Sequence, residues 1–511
     1  MIDPQENQDI TNPSPFSQRN IKGNKNYGLQ EDWKQVRATF QKIWGYDDFR
    51  SPQGEIVKSL LQGKDALIVL PTGGGKSVCF QLPALLQTGL TLVISPLVAL
   101  MENQVQELRE RNLPAALLHS QLPSFQKSKV LKALGKQQLR LLYLSPETLF
   151  SKTVWGILSR PQLQINGLIL DEAHCLVQWG DTFRPSYRRL GAVRPALLKT
   201  KSPGSKIAIA AFTATADPEA QQIITKTLQL QKPDLFLHSP YRSNLHLQVK
   251  VVWTPKGRKT QLLKFIRTQG RQTGLVYVRS RQESQDLAKC LSSLGYNTAA
   301  YHAGLSARQR RRIEEDWLIG KTQFAVCTSA FGMGINKPNC CWVVHFQAPQ
   351  LLSEYIQEVG RAGRDGKPAF ALTLVSEPTG LLNPEDKQRN RFFTESLQKK
   401  YQQAQSLAKQ LPHQGEIEAV IREFPDAAIA LAILHSTGNL QWQDPFHYQL
   451  LSNKSSGSFA QLKARQRKNQ RQTSEFLKTK ACRWQFILEN FGSPAKIPNW
   501  RCGHCNNCME R

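Results

Sequence analysis

The chain lacks the features that define several large classes of protein. Its 511 residues contain no run of about 18 apolar residues, so no membrane-spanning helix is predicted. The polar start, MIDPQENQDITNPSPFSQRN, has no apolar segment of the kind that a secretory signal needs. Residues 1–28 are instead predicted to be a disordered tail.

Acidic residues are also in short supply. The sequence has 39 Asp and Glu against 67 Lys and Arg, which gives a formal net charge of +28. An excess of this size suits a polyanion, because Lys and Arg that neutralise phosphates release condensed counterions. The alternative is a basic surface that only keeps the protein in solution. Binding to a membrane surface is not indicated, because no basic amphipathic segment stands out in the sequence. Nucleic acid is therefore the predicted partner.

The ten cysteines follow no disulfide framework. Six of them are scattered through apolar segments or lie near motifs: Cys79, Cys175, Cys290, Cys327, Cys340 and Cys341. Such a distribution is typical of a reducing compartment, and we expect a cytoplasmic protein, associated with the nucleoid if the source is bacterial.

The remaining four cysteines have the spacing of a metal site. They are Cys482, Cys502, Cys505 and Cys508. Two C-x-x-C turns share Cys505, and the fourth thiolate comes from a preceding helical segment. Four sulfurs suit a tetrahedral, structural Zn²⁺ with no open position. His504 is a possible substitute for one ligand, and a disulfide pair is the alternative reading.

Short apolar runs alternate with helix-like stretches along most of the chain. Five runs in residues 29–240, among them DALIVL and INGLILD, read as buried parallel strands, and five more follow in residues 241–378. This alternation predicts an α/β fold of two lobes, each with a parallel sheet covered by helices on both faces. Residues 379–511 predict a helical, zinc-binding module with a winged-helix-like insertion at about 411–452, which either binds DNA or only packs.

A glycine-rich turn follows the first strand. In PTGGGKS the predicted ATP-binding residues are Thr72, Gly73, Gly74, Gly75, Lys76 and Ser77. The backbone N–H groups of such a turn and of the following helix N-terminus bind phosphate. Lys76 would reach the β- and γ-phosphates, and Ser77 would hold Mg²⁺. Leu70 stands where the strict G-x-x-x-x-G-K-[ST] pattern has glycine, so the variant form of nucleic-acid motors fits better.

LILDEAH ends the fourth predicted strand with two carboxylates. Asp171 would complete the Mg²⁺ shell, and Glu172 is placed to orient and deprotonate the attacking water. His174 is expected to contact phosphate or other motifs rather than zinc, because H-E-x-x-H is absent.

An aromatic and polar segment, WGYDDFRSPQ, precedes the glycine-rich turn. Its Tyr46, Arg50 and Gln53 could stack on and hydrogen-bond an adenine, and a polar helix-capping loop is the alternative.

The second lobe contains SEYIQEVGRAGRDG, with Gln357, Arg361 and Arg364. Arginine is always charged and donates bidentately, so these side chains suit transition-state phosphoryl oxygens if the lobes close over ATP. TSAFGMGINKP and FTATAD are small, polar segments at strand ends and are interpreted as couplers between the lobes.

Taken in order, PTGGGKS, DEAHCLVQWG, FTATAD, AFGMGINKP and QEVGRAGRDG resemble the superfamily 2 helicases. WGYDDFRSPQ, the tract after DEAH and the terminal cysteines are similar to the RecQ family, and the resemblance covers residues 33–378 and 476–508. It implies two RecA-like lobes, Mg²⁺-dependent ATP hydrolysis, and unwinding of DNA from the 3′ side in repair or recombination. By motif match, Arg364 takes the role of arginine finger, with Arg361 beside it. The sequence ends three residues after Cys508, so the further modules of longer RecQ-like proteins are expected to be absent.

The tract after DEAH places aromatic and basic side chains next to the carboxylates. The predicted DNA-coupling residues are His174, Gln178, Trp179, Phe183 and Arg184. Single-stranded DNA is held by stacking on aromatics and by positive charge, so DNA contact could reposition Glu172. RecQ-like proteins have an aromatic-rich loop here; the alternative is that Trp179 and Phe183 pack under the first lobe.

Three rival functions remain to be weighed. An RNA helicase would use the same stacking and phosphate contacts, and only a 2′-OH contact separates the two substrates. A non-hydrolysing DNA-binding scaffold is disfavoured by Lys76, Glu172 and Arg364, and a metallohydrolase built on Asp171 and His174 lacks further ligands. Single-stranded and partly duplex DNA are the predicted partners, whereas single-strand-binding or recombination proteins are not readable from the sequence.

Overall fold

The computed structural model describes residues 31–178, 184–331, 335, 337–451, 457–493 and 500–509. In these residues two parallel sheets, one in each lobe, are followed by a small antiparallel sheet. No helix in the described part of the chain is both long and apolar enough to cross a membrane.

Lobe 1 is built on a seven-stranded parallel sheet. Its strands are β1 (Ala66–Val69), β2 (Leu90–Ile94), β3 (Ala115–Leu118), β4 (Leu141–Leu144), β5 (Ile165–Leu170), β6 (Ala208–Thr213) and β7 (Asp234–Leu237). Its helices are α1 (Glu31–Trp44), α2 (Gln53–Leu61), α3 (Lys76–Leu86), α4 (Val98–Glu110), α5 (Ser124–Gly135), α6 (Pro146–Leu149), α7 (Lys152–Leu158), α8 (Cys175–Gln178), α9 (Val193–Leu198) and α10 (Pro218–Thr227), with a 3-10 helix at Pro185–Ala192. The central strands are almost uninterrupted Val, Ile, Leu and Ala, because helices cover both faces of the sheet.

The strand order of lobe 1 determines where its motifs meet. The order β3-β4-β2-β5-β6-β1-β7 places β5, β6 and β1 side by side in the middle of the sheet. Because these strands are parallel, their carboxyl ends meet at one edge. PTGGGKS, DEAH and FTATAD each follow one of these ends and therefore lie together.

Lobe 2 has a six-stranded parallel sheet in the order β10-β11-β9-β12-β13-β8. Its strands are β8 (Leu245–Val252), β9 (Gly274–Tyr277), β10 (Thr298–Tyr301), β11 (Phe324–Cys327), β12 (Trp342–His345) and β13 (Ala369–Ser376). Its helices are α11 (Pro255–Thr268), α12 (Arg281–Ser293), α13 (Ala307–Leu318) and α14 (Leu352–Val359).

The C-terminal region is mainly helical. Its elements are α15 (Glu385–Leu407), β14 (Gln414–Glu416), α16 (Ile417–Glu423), α17 (Ala427–Ser436), β15 (Leu440–Trp442), β16 (His447–Leu450), α18 (Gly457–Lys478), α19 (Arg483–Asn490) and α20 (Asn506–Met509). The segment with the cysteines packs on lobe 2, where Trp484 is buried and donates its indole N–H to the Leu245 carbonyl at 3.1 Å. The two helices and the hairpin β15–β16 of the insertion share one core with residues of α15 and α18 and with Ala192 of lobe 1.

The α/β class with two parallel-sheet lobes is confirmed, but the strand count is not. Five strands were expected in each lobe, whereas the sheets have seven and six. The missed strands are β3, β7 and β8, so DEAH follows the fifth strand and not the fourth. β3 is only the four residues AALL, which suit a helix equally well, and β7 is a half-exposed edge strand.

Candidate active site

The phosphate loop has the backbone that its glycines predict. Gly73 and Gly75 have φ of +87° and +69°, a left-handed region that favours glycine, and α3 begins immediately afterwards at Lys76. The Gln53 side chain donates to the Gly74 carbonyl at 3.1 Å and fills the place that a Cβ on Gly75 would need. The loop is thus held open toward its N–H side, in the form that cradles a phosphate.

The three residues proposed for adenine divide into two environments. Gln53 is buried, and its amide oxygen also accepts the backbone N–H of Arg50 at 3.0 Å. Tyr46 is 54% exposed, and its ring lies 5.8 Å from that of Phe40. Arg50 is exposed as well. Tyr46 and Arg50 are therefore free to meet a base, whereas Gln53 supports the phosphate loop.

The two carboxylates lie at the carboxyl end of β5. The Asp171 N–H donates to the Ile94 carbonyl at 2.9 Å, and the Ala173 N–H donates to the Phe212 carbonyl at 2.8 Å, which fixes the turn between β2 and β6. Glu172 occupies the left-handed region at φ +53°, where a residue with a Cβ is strained. The Glu172 N–H donates to the Asp171 carboxylate at 3.0 Å within this turn.

The charges around the two carboxylates suit a bound divalent cation. Burial and the charge of Glu172 raise the pKa of Asp171 to about 7. Burial also acts to raise the pKa of Glu172, but Lys76 and His174 bring it below its usual range. Repulsion between the two carboxylates favours the protonated form of Asp171, and a divalent cation beside them would relieve that repulsion and favour the ionised form, so the residues fit Mg²⁺. When bound, Mg²⁺ supplies charge neutralisation at the phosphates.

A path of polar contacts runs from Glu172 into lobe 2, beginning with an ion-pair contact and continuing through hydrogen bonds. Nδ1 of His174 lies 3.2 Å from a Glu172 carboxylate oxygen and 3.3 Å from the Thr213 hydroxyl. That hydroxyl donates to the Thr215 carbonyl at 3.1 Å and accepts the Thr215 N–H at 3.2 Å. Gln357, on α14, donates to the Thr215 hydroxyl at 2.9 Å. His174 is only 2% exposed, so it contacts the FTATAD segment rather than solvent.

The arginines of lobe 2 reach the phosphate loop. Cγ of Arg364 lies 3.8 Å from the position that a Cβ would take on Gly73, and its guanidinium donates to the Ile335 carbonyl at 3.0 Å. Burial and the charge of Arg361 lower the pKa of Arg364 to about 10, which leaves it cationic at neutral pH. Arg361 is also buried, and its charge helps to lower the pKa of Glu172.

A buried ion network that the sequence did not reveal supports α14. Arg279 donates to both carboxylate oxygens of Glu358, at 2.9 and 2.8 Å, and Nε2 of His345 lies 2.9 Å from one of them. Both Arg279 and Glu358 are almost fully enclosed. Glu358 directly follows Gln357, so this network fixes the helix that carries the inter-lobe contact. The two partners are 79 residues apart, and no local pattern pairs them.

Part of the predicted DNA-coupling tract lies outside the described residues. Trp179 and Phe183 are the two predicted residues outside that range, and the side chain of Gln178 at the end of α8 is not described either. Arg184 begins the next described segment and donates to the Glu147 carboxylate at 3.2 Å. The pair is half-exposed and therefore weak.

The four C-terminal cysteines converge. Their sulfur atoms all lie within 4.8 Å of one another, with 3.9 Å between Cys502 and Cys508 and 3.5 Å between Cys505 and Cys508. Sulfurs on a zinc tetrahedron are about 3.8 Å apart, and a disulfide would need about 2.05 Å. The N–H of Cys502 donates to the sulfur of Cys482 at 3.3 Å, as suits a thiolate. His504 turns toward the Cys502 carbonyl at 2.7 Å and is not among the ligands. The set fits Zn²⁺.

Comparisons with known proteins agree with this geometry. A DEAD/DEAH box helicase model matches residues 50–223, a helicase conserved C-terminal domain model 257–366, and a RecQ zinc-binding model 446–509. The ATP-dependent DNA helicase RecQ of Synechocystis is 51% identical over 94% of this chain and 99% of its own length. That of Haemophilus influenzae is 40% identical over 67% of this chain and 53% of its own length.

Solved structures show the same architecture at low identity. The Mycobacterium smegmatis helicase Lhr bound to ssDNA and AMP-PNP superimposes with a TM-score of 0.55 at 17% identity, over 91% of this chain and 66% of its own. This likeness concerns the fold alone.

Proposed function

The chain belongs to the RecQ family of DNA helicases, and we propose that it couples ATP hydrolysis to translocation on single-stranded DNA and separation of duplex DNA. The observation that carries the proposal is the path of polar contacts that starts at Glu172, passes through His174, Thr213 and Thr215, and ends at Gln357. It joins the carboxylate proposed for hydrolysis to the helix that precedes the arginines of the other lobe.

Each side chain has a distinct role in the proposed reaction. Lys76 neutralises the β- and γ-phosphates, and Ser77 with Asp171 holds the metal. Glu172 orients the water that attacks the γ-phosphate and accepts its proton. Arg364, with Arg361 beside it, stabilises the charge on the transferring phosphoryl group. Tyr46, Arg50 and Gln53 hold the adenine. Because Arg364 and Lys76 come from different lobes, the site is complete only when the lobes are together.

The finer assignments follow the family. We propose 3′-to-5′ movement, a role in repair or recombination, and a cytoplasmic location in contact with the nucleoid. RNA is the rival substrate, because stacking and phosphate contacts serve both polymers.

A strand-displacement assay tests the function directly. Duplexes of DNA and of RNA with 3′ or 5′ single-stranded tails should be incubated with ATP and Mg²⁺, with Lys76→Ala as the inactive control. We expect separation of the 3′-tailed DNA duplex only. Separation of the RNA duplex at an equal rate would contradict the choice of substrate, and separation of the 5′-tailed duplex would contradict the polarity.

Replacing Trp179 by Ala tests the coupling of DNA contact to hydrolysis. We expect unchanged basal hydrolysis and a loss of about tenfold or more in stimulation by single-stranded DNA, because one base–aromatic stack contributes roughly 1–3 kcal/mol. Phosphate release with and without DNA measures both rates. Trp253→Ala is the matched control, since this tryptophan is 61% exposed and follows β8, outside every motif. Full stimulation of Trp179→Ala would show that the tryptophan only packs.

A further inference from the structure

The hairpin of the insertion is docked on lobe 1. Its tip places Phe446 edge-on to two aromatic rings, with ring centres 5.2 Å from Trp155 and 6.2 Å from Phe150. Arg189 donates to the Pro445 carbonyl at 3.1 Å, and its guanidinium lies 4.3 Å from the centre of the Phe150 ring. We call Phe150, Trp155 and Arg189 the hairpin socket. The wing-like tip that a DNA-binding module would use is therefore occupied by the protein itself.

The rest of the insertion reinforces this contact. α17 packs against the 3-10 helix, where Ala192 shares a core with Leu431 and Leu434. Glu418 of α16 pairs with Lys152 of α7 at 3.2 Å. The contacts thus extend over two elements of lobe 1, one of which also carries Arg189 of the socket.

The charge of the insertion argues against DNA as its binding partner. Residues 411–452 have a single Lys or Arg, Arg422, in a chain whose net charge is +28. Five carboxylates oppose it: Glu416, Glu418, Glu423, Asp426 and Asp444. A net negative surface repels phosphates, and a contact without Lys or Arg also lacks the favourable release of counterions. The basic groups of lobe 1, Arg189 and Lys152, are the complementary surface.

The docking site lies directly beside the proposed DNA-coupling tract. The 3-10 helix begins at Pro185, one residue after Arg184, and it also packs on α8, which follows the DEAH turn. Glu147, the partner of Arg184, belongs to α6, and Phe150 of the socket follows that helix. The hairpin therefore packs against the 3-10 helix and the end of α6, the two elements that hold Arg184 at the end of the tract.

A second contact reaches the other coupling segment. α18 follows the insertion, and its Arg465 and Lys468 each bind Glu219 at 3.0 Å. Glu219 lies in the first turn of α10, immediately after FTATAD. The C-terminal region thus touches lobe 1 next to both segments that link hydrolysis to DNA.

We propose that the insertion acts within its own chain as a brace for lobe 1, with Phe446 as a positioning residue for the coupling of DNA binding to ATP hydrolysis. Phe446 holds the 3-10 helix in place. When DNA displaces the tract that precedes this helix, the helix therefore stays fixed and the displacement is transmitted toward Glu172. The insertion itself does not contact DNA. The proposal rests on the coupling role of the tract given above.

Replacing Phe446 by Ala tests the brace in the full-length protein. We expect the DNA-stimulated kcat to fall by about tenfold, within the loss of up to about 10²-fold that small displacements cause, while basal hydrolysis and the Kd for fluorescent single-stranded DNA stay as in the wild type. Phe446→Leu should restore much of the stimulation, because it refills the socket. Gln441→Ala, an exposed position on the same hairpin, is the matched control. Thermal unfolding of each variant verifies that it is folded.

Two further variants separate this proposal from its alternatives. Arg422→Ala should leave the Kd for DNA and its salt dependence unchanged, and a weaker Kd would show that the insertion binds DNA and overturn the brace. Normal DNA stimulation of Phe446→Ala would overturn it as well. If Trp179→Ala also keeps full stimulation, the coupling role of the tract fails; if only Phe446→Ala does, the tract stands and the brace alone is wrong.

Discussion

Replacing Arg364 by Ala is expected to lower the kcat of DNA-stimulated ATP hydrolysis by about 10³-fold or more, the effect of removing an arginine finger. The side chain comes from lobe 2 but lies against Gly73 of the phosphate loop, and its guanidinium remains cationic in spite of burial. The aliphatic part of the side chain is what contacts Gly73, and we expect the guanidinium to reach the transferring phosphoryl group from there and to stabilise its negative charge. The affinity for ATP should change far less, because Lys76 and the loop N–H groups remain.

Three measurements make this prediction specific. Steady-state phosphate release gives kcat, and titration with a fluorescent ATP analogue gives the affinity. Arg364→Lys keeps the charge but not the forked geometry, so we expect an intermediate rate. Arg271→Ala is the matched control, because this exposed arginine of lobe 2 precedes β9 at the edge away from the cleft. A kcat of Arg364→Ala within tenfold of the wild type would exclude the arginine-finger role.

The sequence predicts well the functional residues that lie in short segments at strand ends. PTGGGKS, DEAH and FTATAD each combine an apolar strand with the residues that follow it, and parallel strands bring their carboxyl ends to one edge. The C-x-x-C spacing likewise predicts that Cys502, Cys505 and Cys508 converge, since ligands that are close along the chain need little further folding to meet, and the fourth sulfur, from Cys482, joins them in the structure.

What the sequence does not predict is pairing between distant side chains. The Arg279–Glu358 ion pair joins residues 79 positions apart, and the contact of Arg189 with the hairpin joins residues 256 positions apart. The adenine contact of Gln53 remains a prediction, whereas its hydrogen bond to the phosphate loop was not predicted, because only the folded sheet brings α2 against Gly74. A winged-helix-like insertion was expected at about 411–452, but its sequence does not indicate which surface covers Phe446.

Replacing Cys505 by Ser is expected to abolish zinc binding and to unfold the segment that carries the cysteines. The sulfur of Cys505 is fully buried at the centre of the set, 3.5 Å from that of Cys508. A serine hydroxyl is a poor ligand for this ion, and structural zinc contributes on the order of 10 kcal/mol to the folding of such small modules. The loss would spread into lobe 2, because Trp484 and Phe476 belong to its hydrophobic core.

Zinc content and thermal unfolding check this prediction together. The wild type should carry about one zinc per chain, the number that four thiolates bind, and Cys505→Ser should carry none. We expect the variant to have a lower melting temperature and a lower soluble yield, since the apolar face of α19 loses its support. Cys290→Ser, a half-buried thiol on α12 outside the cluster, should behave like the wild type. Cys505→Ser that retains zinc and the wild-type melting temperature would show that these sulfurs do not form the metal centre, whereas loss of zinc with unchanged melting would mean that Trp484 and its neighbours hold the segment on lobe 2 without the metal.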